Sequence, residues 1–153
     1  MNTLLPDWAP NIHPLLVHFP IVLFVIAVLA DVSYFSLNKE WIRNAAVTLF
    51  TLSGLAALAT YFSGKQAIDS LVVPFEAELT ASSHSDWALY TLIYFGILAA
   101  IRSFLFWKNL DKKKVILSAL IVLSLIGAGM LANTADKGAK LVYKYGVGTH
   151  TSK

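Results

Sequence analysis

Cysteine is absent from the 153 residues. That excludes disulfides, thiolate-bound zinc, iron–sulfur clusters and covalent c-type haem attachment together. Charge is scarce as well: 14% of residues are Asp, Glu, Lys or Arg, against about 25% in a soluble domain. A soluble bundle needs polar outer faces. Val22 to Ala30 is unbroken apolar sequence, and so is Leu117 to Leu123 apart from Ser118. The helix faces must therefore meet lipid or each other. Several motifs are also missing: a nucleophile signature, a glycine-rich phosphate loop and His-Glu-x-x-His. The repeated mid-membrane helix breaks of transporters are not seen either. These gaps leave hydrolysis and transport without support and point to a binding or electron-transfer module rather than an enzyme. The first eleven residues hold no Lys or Arg, so the basic n-region of a cleavable signal peptide is not seen. An acidic start (Asp7, Trp8) before a long span suits an exported N-terminus.

What the chain does have is four long apolar stretches, at about 14–37, 44–63, 86–107 and 115–132. Each supplies roughly the 20 residues that a hydrocarbon core of about 30 Å requires at 1.5 Å per residue. The sequence predicts an all-α fold, an integral membrane up-down four-helix bundle forming one domain over 1–153. Seven basic residues fall on the face of the 1–2 and 3–4 loops: Lys39, Arg43, Arg102, Lys108 and Lys112 to Lys114. Five fall on the other face, with six of the nine acids. The positive-inside rule then makes loops 38–43 and 108–114 cytoplasmic and puts both termini outside a bacterial inner membrane. Lys112-Lys113-Lys114 abuts a span and reads as an anchor, not as a nucleic-acid site. Trp8, Trp41, Trp87 and Trp107 lie near predicted span ends, the interfacial pattern.

Local features refine this picture. Pro14 suits a first helical turn, whereas Pro20 inside the helix deletes a bond, kinks the axis and frees the carbonyl of Leu16. In lipid that carbonyl needs a partner, so the turn must be buried in protein or face a polar cavity. Ala56, Thr60 and Gly64, beside Ser53, Gly54 and Ala57, form a small-residue stripe for close helix packing. Gly127, Ala128 and Gly129 either serve packing or leave room for a planar ligand. The 64–85 stretch reads as a long loop, with Ser83 or Ser85 capping helix 3 and Asp86 in its first turn. Asn133 to Gly148 reads as an ordered irregular tail lying in the interfacial belt or folded over the outer face. Asp31 and Arg102 sit about 8–9 Å inside the loop face. Ionised groups there need partners, so Asp31 is expected to meet Arg102, or Arg43 instead, with a proton or quinone site at Asp31 as the functional alternative.

Counting crossings puts His13, His18, His84 and His150 all at one membrane face. Imidazoles gathered there without cysteine point to a redox or metal centre. One reading is b-type haem, with His18 and His84 as axial ligands across the parallel helices 1 and 3 and Phe19, Trp87 and Tyr143 as walls. His13 lies five positions, about 140°, from His18, a poor angle for the same iron but one suited to a propionate or a second haem. A second reading is zinc, copper or non-haem iron held by His13, His18 and His84 with Glu76, Glu78 or Asp86. The third is a non-redox scaffold or helper subunit. Partners that fit are the lipid bilayer, a redox protein or a quinone, and a second copy of the chain in a homo-oligomer.

The string Asn11-Ile12-His13-Pro14-Leu15-Leu16-Val17-His18-Phe19-Pro20-Ile21 resembles the opening motif of a bacterial family of small four-span membrane proteins catalogued as a domain of unknown function. Lys140-Leu141-Val142-Tyr143-Lys144-Tyr145-Gly146-Val147-Gly148 resembles its closing motif, and His84 fits its histidine before the third span. The resemblance covers nearly the whole chain. Members occur fused or adjacent to cytochrome-like and Rieske-like redox modules, which implies a link to electron transfer. His150 lies past the closing motif and is not implied by it.

Overall fold

The computed structural model describes residues 11–149, so Asp7, Trp8 and His150 lie outside it. All regular structure in it is helical. The helices are α1 (His13–Leu16), α2 (His18–Leu37), α3 (Glu40–Ser70), α4 (Glu78–Trp107) and α5 (Lys114–Tyr143), with 3-10 turns at Phe75–Ala77 and Leu110–Lys112. α1 and α2 together make the first of four segments long and apolar enough to cross a membrane. α2 packs on α3, α3 on α4 and α4 on α5, and α2 meets α5 to close the ring. This is the expected up-down bundle. Leu52, Leu55, Leu58 and Phe62 on α3, like Val122, Leu125 and Ile126 on α5, are exposed, as lipid-facing side chains must be.

Three helices are longer than their apolar stretches. Glu78, not Asp86, opens α4, and α3 runs to Ser70, so the expected long loop shrinks to 71–77. Ser83, Ser85 and Asp86 are therefore internal to α4 and do not cap it. The expected irregular tail is helical as far as Tyr143. Ser, Asn, Asp and Gly look like loop residues beside an apolar run, but a helix leaving the bilayer is free to turn polar without ending. Beyond Tyr143 the chain turns at Gly146, whose φ of 68° favours glycine. There Gly146 N–H bonds the Val142 carbonyl (3.0 Å) and Val147 N–H the Leu141 carbonyl (2.9 Å), in the manner of glycine-closed helix ends. Val147 is thereby folded back onto Ala77, Ala81 and Leu141.

The break in the first span follows from its prolines. α1 ends at a turn on Val17, and α2 begins at His18. Pro20 lacks the N–H that would bond the Leu16 carbonyl, and the Thr60 hydroxyl of α3 donates to that oxygen instead (3.1 Å). The freed carbonyl thus has the internal partner that a hydrocarbon setting demands. Mid-bundle, Phe24 stacks on Phe95 (centroids 4.0 Å apart, 8° between planes) and meets Phe50 edge-on at 5.5 Å. A Cβ on Gly127 would come within 2.9 Å of the Phe24 ring and 3.0 Å of Tyr94. Of the two readings of Gly127, the packing one holds, and the core at this level is filled by rings.

The turns joining α2 to α3 and α4 to α5 mark the arginine end. Four charges are buried there: Asp31, Arg43, Arg102 and Asp111. Arg102 pairs with Asp31, as expected, and also reaches Asp111 at 3.2 Å. Asp111 accepts two further bonds from Arg43, at 2.8 and 2.9 Å. Arg43 also donates to the Phe106 carbonyl (3.0 Å) and lies 4.2 Å over the Phe106 ring. The Arg43 alternative for Asp31 is not used, because Asp111 from the turn takes that guanidinium. The four charges cancel, and the chain of pairs ties α2, α3, α4 and the turn together.

Removing one partner from a buried pair costs about 3–5 kcal/mol, because a charge is left alone in low dielectric. Asp111→Ala should lower the unfolding midpoint in detergent by that order, since it strips two guanidiniums at once. Glu40→Ala, which removes an exposed partner of Arg43, should leave the midpoint unchanged. The loss in Asp31→Ala/Arg102→Ala should fall well short of the sum of its single losses; an additive double mutant would show that the pair is not coupled.

Candidate functional site at the histidine end

At 1.5 Å per residue, helices of 30 or 31 residues reach about 45 Å, roughly 15 Å more than a hydrocarbon core. The excess lies at the end opposite the arginines, where the sequence turns polar: Lys65 and Asp69 on α3, Glu78 and Asp86 on α4, Asp136 and Lys140 on α5 are exposed. Inside this end lies a layer of hydroxyls and imidazoles. The apolar cluster of Ala77, Ala81, Leu141 and Val147 roofs the end, and the Phe24–Phe95 stack forms its floor.

His13 lies against α3. Its Nδ1 is 3.0 Å from Ser63 Oγ, and the ring covers Gly64 so closely that a Cβ there would sit 2.9 Å from Cε1. Ser63 Oγ donates its own proton to the Thr60 carbonyl (2.8 Å). Its bond with His13 must therefore be one in which Nδ1–H donates. His84 lies against α5 in the same manner. Its Nδ1 is 3.0 Å from the Thr134 carbonyl, which can only accept, and a Cβ on Gly138 would approach its Cε1 to 3.0 Å. Both imidazoles are thus held through Nδ1–H, and among the described residues neither Nε2 has a hydrogen-bond partner. The two rings are close enough for the charge on one to act on the other, and Lys137 is close enough to act on His84. Thr91 Oγ1, 2.9 Å from Thr134 Oγ1, steadies the α5 side: Thr134 donates to Met130 O and so accepts from Thr91.

The other predicted site residues lie elsewhere. His18 is exposed on α2 and lines a shallow hollow with Phe19, Val22 and Leu23. The histidine brought towards His84 is His13, which replaces the expected His18–His84 pair. The reason is the angle between the two positions: a rotation of about 140° turns one imidazole in and the other out. Trp87 is half-buried and meets Tyr90 edge-on. Tyr143 is 89% exposed, beside Asp136, Ala139 and Lys144 on the outer surface, and walls nothing. Glu76, Glu78 and Asp86 are exposed. Among the described residues no three His, Asp or Glu side chains converge on a point where a metal could bind, so neither the three-histidine set nor the mixed carboxylate set is built. Ser63, Thr91, Thr134 and Gly138 were not singled out from the sequence. A signal for Thr134 and Gly138 exists in the recurrence of Thr60-x-x-x-Gly64 as Thr134-x-x-x-Gly138.

Fold and site define an integral membrane four-helix bundle with a pair of oriented histidines at one end. The chain belongs to the family described as "Predicted membrane protein (DUF2231)", whose profile matches residues 9–151. No curated protein and no solved structure matches it.

The hydrogen bonds fix the tautomers, and nitrogen-15 NMR of histidine-labelled protein reads them directly. His13 and His84 should both show protonated Nδ1 and bare Nε2 at a pH where they are neutral. Ser63→Ala should return His13 to the mixed tautomers of free imidazole and leave His84 unchanged. If His84 follows, the two anchors are not independent.

Proposed function

We propose that this protein is a small electron-transfer module of the bacterial inner membrane that holds a metal centre, b-type haem foremost, between His13 and His84 at the outer face. The observation that supports it is the pair of Nδ1–H anchors, with neither Nε2 bonded to another described residue. The donor set suits haem iron. The macrocycle brings four nitrogens and needs only axial imidazoles from the protein, whereas zinc and non-haem iron ordinarily take three or more protein ligands. His13 and His84 would be the ligands, Ser63 and the Thr134 carbonyl would keep them aimed and basic, and Lys137 would offer a cation to a propionate. When bound, haem supplies reversible one-electron chemistry. Val147 and Leu141 would exclude water from above, and Ser63 and the Thr134 carbonyl would fix the imidazole orientation from the sides. Electrons would be exchanged with a redox protein or a quinone at this end.

An absorption spectrum of detergent-purified protein, with elemental analysis, tests this reading. A reducible Soret and α-band pair is expected. His13→Ala and His84→Ala should abolish the low-spin form, and His18→Ala should retain it. A colourless protein with stoichiometric copper, zinc or iron would shift the centre to a non-haem ion. A colourless, metal-free protein would leave the scaffold reading. The outer location rests on the positive-inside rule: an alkaline phosphatase fusion after Lys153 should be active and one at Asn109 inactive, and the reverse would place the histidines in the cytoplasm.

A further inference from the structure

The two hairpins repeat one another. His13 and His84 are 71 residues apart, as are Phe24 and Phe95, Ala27 and Leu98, and Asp31 and Arg102; in the last three pairs both members are buried. Helical periodicity alone aligns buried positions at several offsets. The same 71-residue offset, however, also lays Asn38 on Asn109, the two non-glycine residues with positive φ among those described, at 49° and 54°. Asn38 caps α2, Asn109 follows the Lys108 cap of α4, and each begins its hairpin turn. The second turn is three residues longer, and beyond it the offset is 74: extended Lys39 on extended Lys113, Thr60 on Thr134, Gly64 on Gly138. The buried Ala46, Phe50 and Ser53 fall on the buried Leu120, Ser124 and Gly127. The packing obeys the same relation, because exchanging α2 with α4 and α3 with α5 turns the α3–α4 contact into α5–α2, and both exist.

We infer that the chain is built as two equivalent halves about a pseudo-two-fold axis along the bundle, and that His13 and His84, equivalent under it, bind one metal centre on the axis from opposite sides. The inference rests on the reading of this pair as a metal site and makes that reading more specific. Each half presents an imidazole from an odd-numbered span and a bare glycine turn under its ring, while the Nδ1–H acceptors have diverged to the Ser63 hydroxyl in one half and the Thr134 carbonyl in the other. Two donors so related meet a common acceptor only on the axis. That acceptor must take two imidazoles in equivalent, opposed positions, as haem iron does and as a bare copper ion can. The site therefore binds one centre per chain, not one per histidine. The axis also passes between Phe24 and Phe95, which accounts for their near-parallel stack. It passes between Asp31 and Arg102 as well, where the halves have diverged to opposite charges that pair.

The test titrates full-length, metal-free protein in detergent with hemin, and separately with copper(II), following the visible spectrum and the histidine nitrogen-15 signals. Saturation is expected at one equivalent per chain for one of the two probes. The Nε2 signals of His13 and His84 should move or broaden together over that equivalent, while those of His18 stay put. His13→Gln and His84→Gln should each weaken binding by at least tenfold and by similar factors, in protein whose helical circular dichroism is unchanged. Saturation at two equivalents, movement of one imidazole alone, or a large effect from only one variant would overturn the shared site and leave a metal-binding function standing. If neither probe moves a histidine signal, the metal reading falls and the shared site with it.

Discussion

A guanidinium that enters hydrocarbon alone is far costlier than one that enters with a carboxylate, and this protein buries two of each. The chain of Asp31, Arg102, Asp111 and Arg43 sets the register of the bundle, because each link joins different parts of it: α2 to α4, α4 to the second turn, that turn to α3. Sliding α2, α3 or α4 by a turn would strand a charge. Apolar packing against lipid tails supplies little of that discrimination, since lipid is as apolar as the partner helix. The polar contacts decide which residues face which. The same logic governs the first span, where Pro20 frees a carbonyl and Thr60 answers it.

With register fixed at one end, the other end is free to be specialised. The imidazoles of His13 and His84 are not simply placed near one another. Each is bonded through one nitrogen and laid over a turn with no side chain beneath it, so both position and tautomer are determined by neighbours on α3 and α5. The apolar roof made by Val147 and Leu141 explains why the closing segment needs a left-handed Gly146. Without that turn the chain would leave the bundle, and the polar layer would open to water.

The sequence made some of this legible and hid the rest for physical reasons. Spans are visible because hydrocarbon thickness imposes a length. The Asp31–Arg102 pair is visible because depth can be counted along a helix, and the need of the Leu16 carbonyl because proline chemistry is local. Asp111 escaped because it lies in a turn, where a carboxylate looks solvated, and only the tertiary fold carries it inward. Helix ends escaped because the polar composition outside the bilayer resembles a loop. The angle between His13 and His18 is legible, but which of the two faces the bundle is not, because the letters do not say how the first span is turned about its axis. The internal repeat is present in the letters as His13 and His84, Asn38 and Asn109, Thr60 and Thr134, but it spans two offsets and shares few identities.

The helices overshoot the apolar layer at the histidine end, and His13 and His84 stand level with Gly64 and Gly138, where the long apolar runs have finished. A transmembrane potential falls almost wholly across the hydrocarbon, at about 2.3 kcal/mol per charge per 100 mV for full passage. A charge gained or lost at this level crosses little of that drop. Electrical work against the membrane would therefore be nearly absent from any reaction completed there, and its equilibrium would be set by local chemistry rather than by the energised state of the cell.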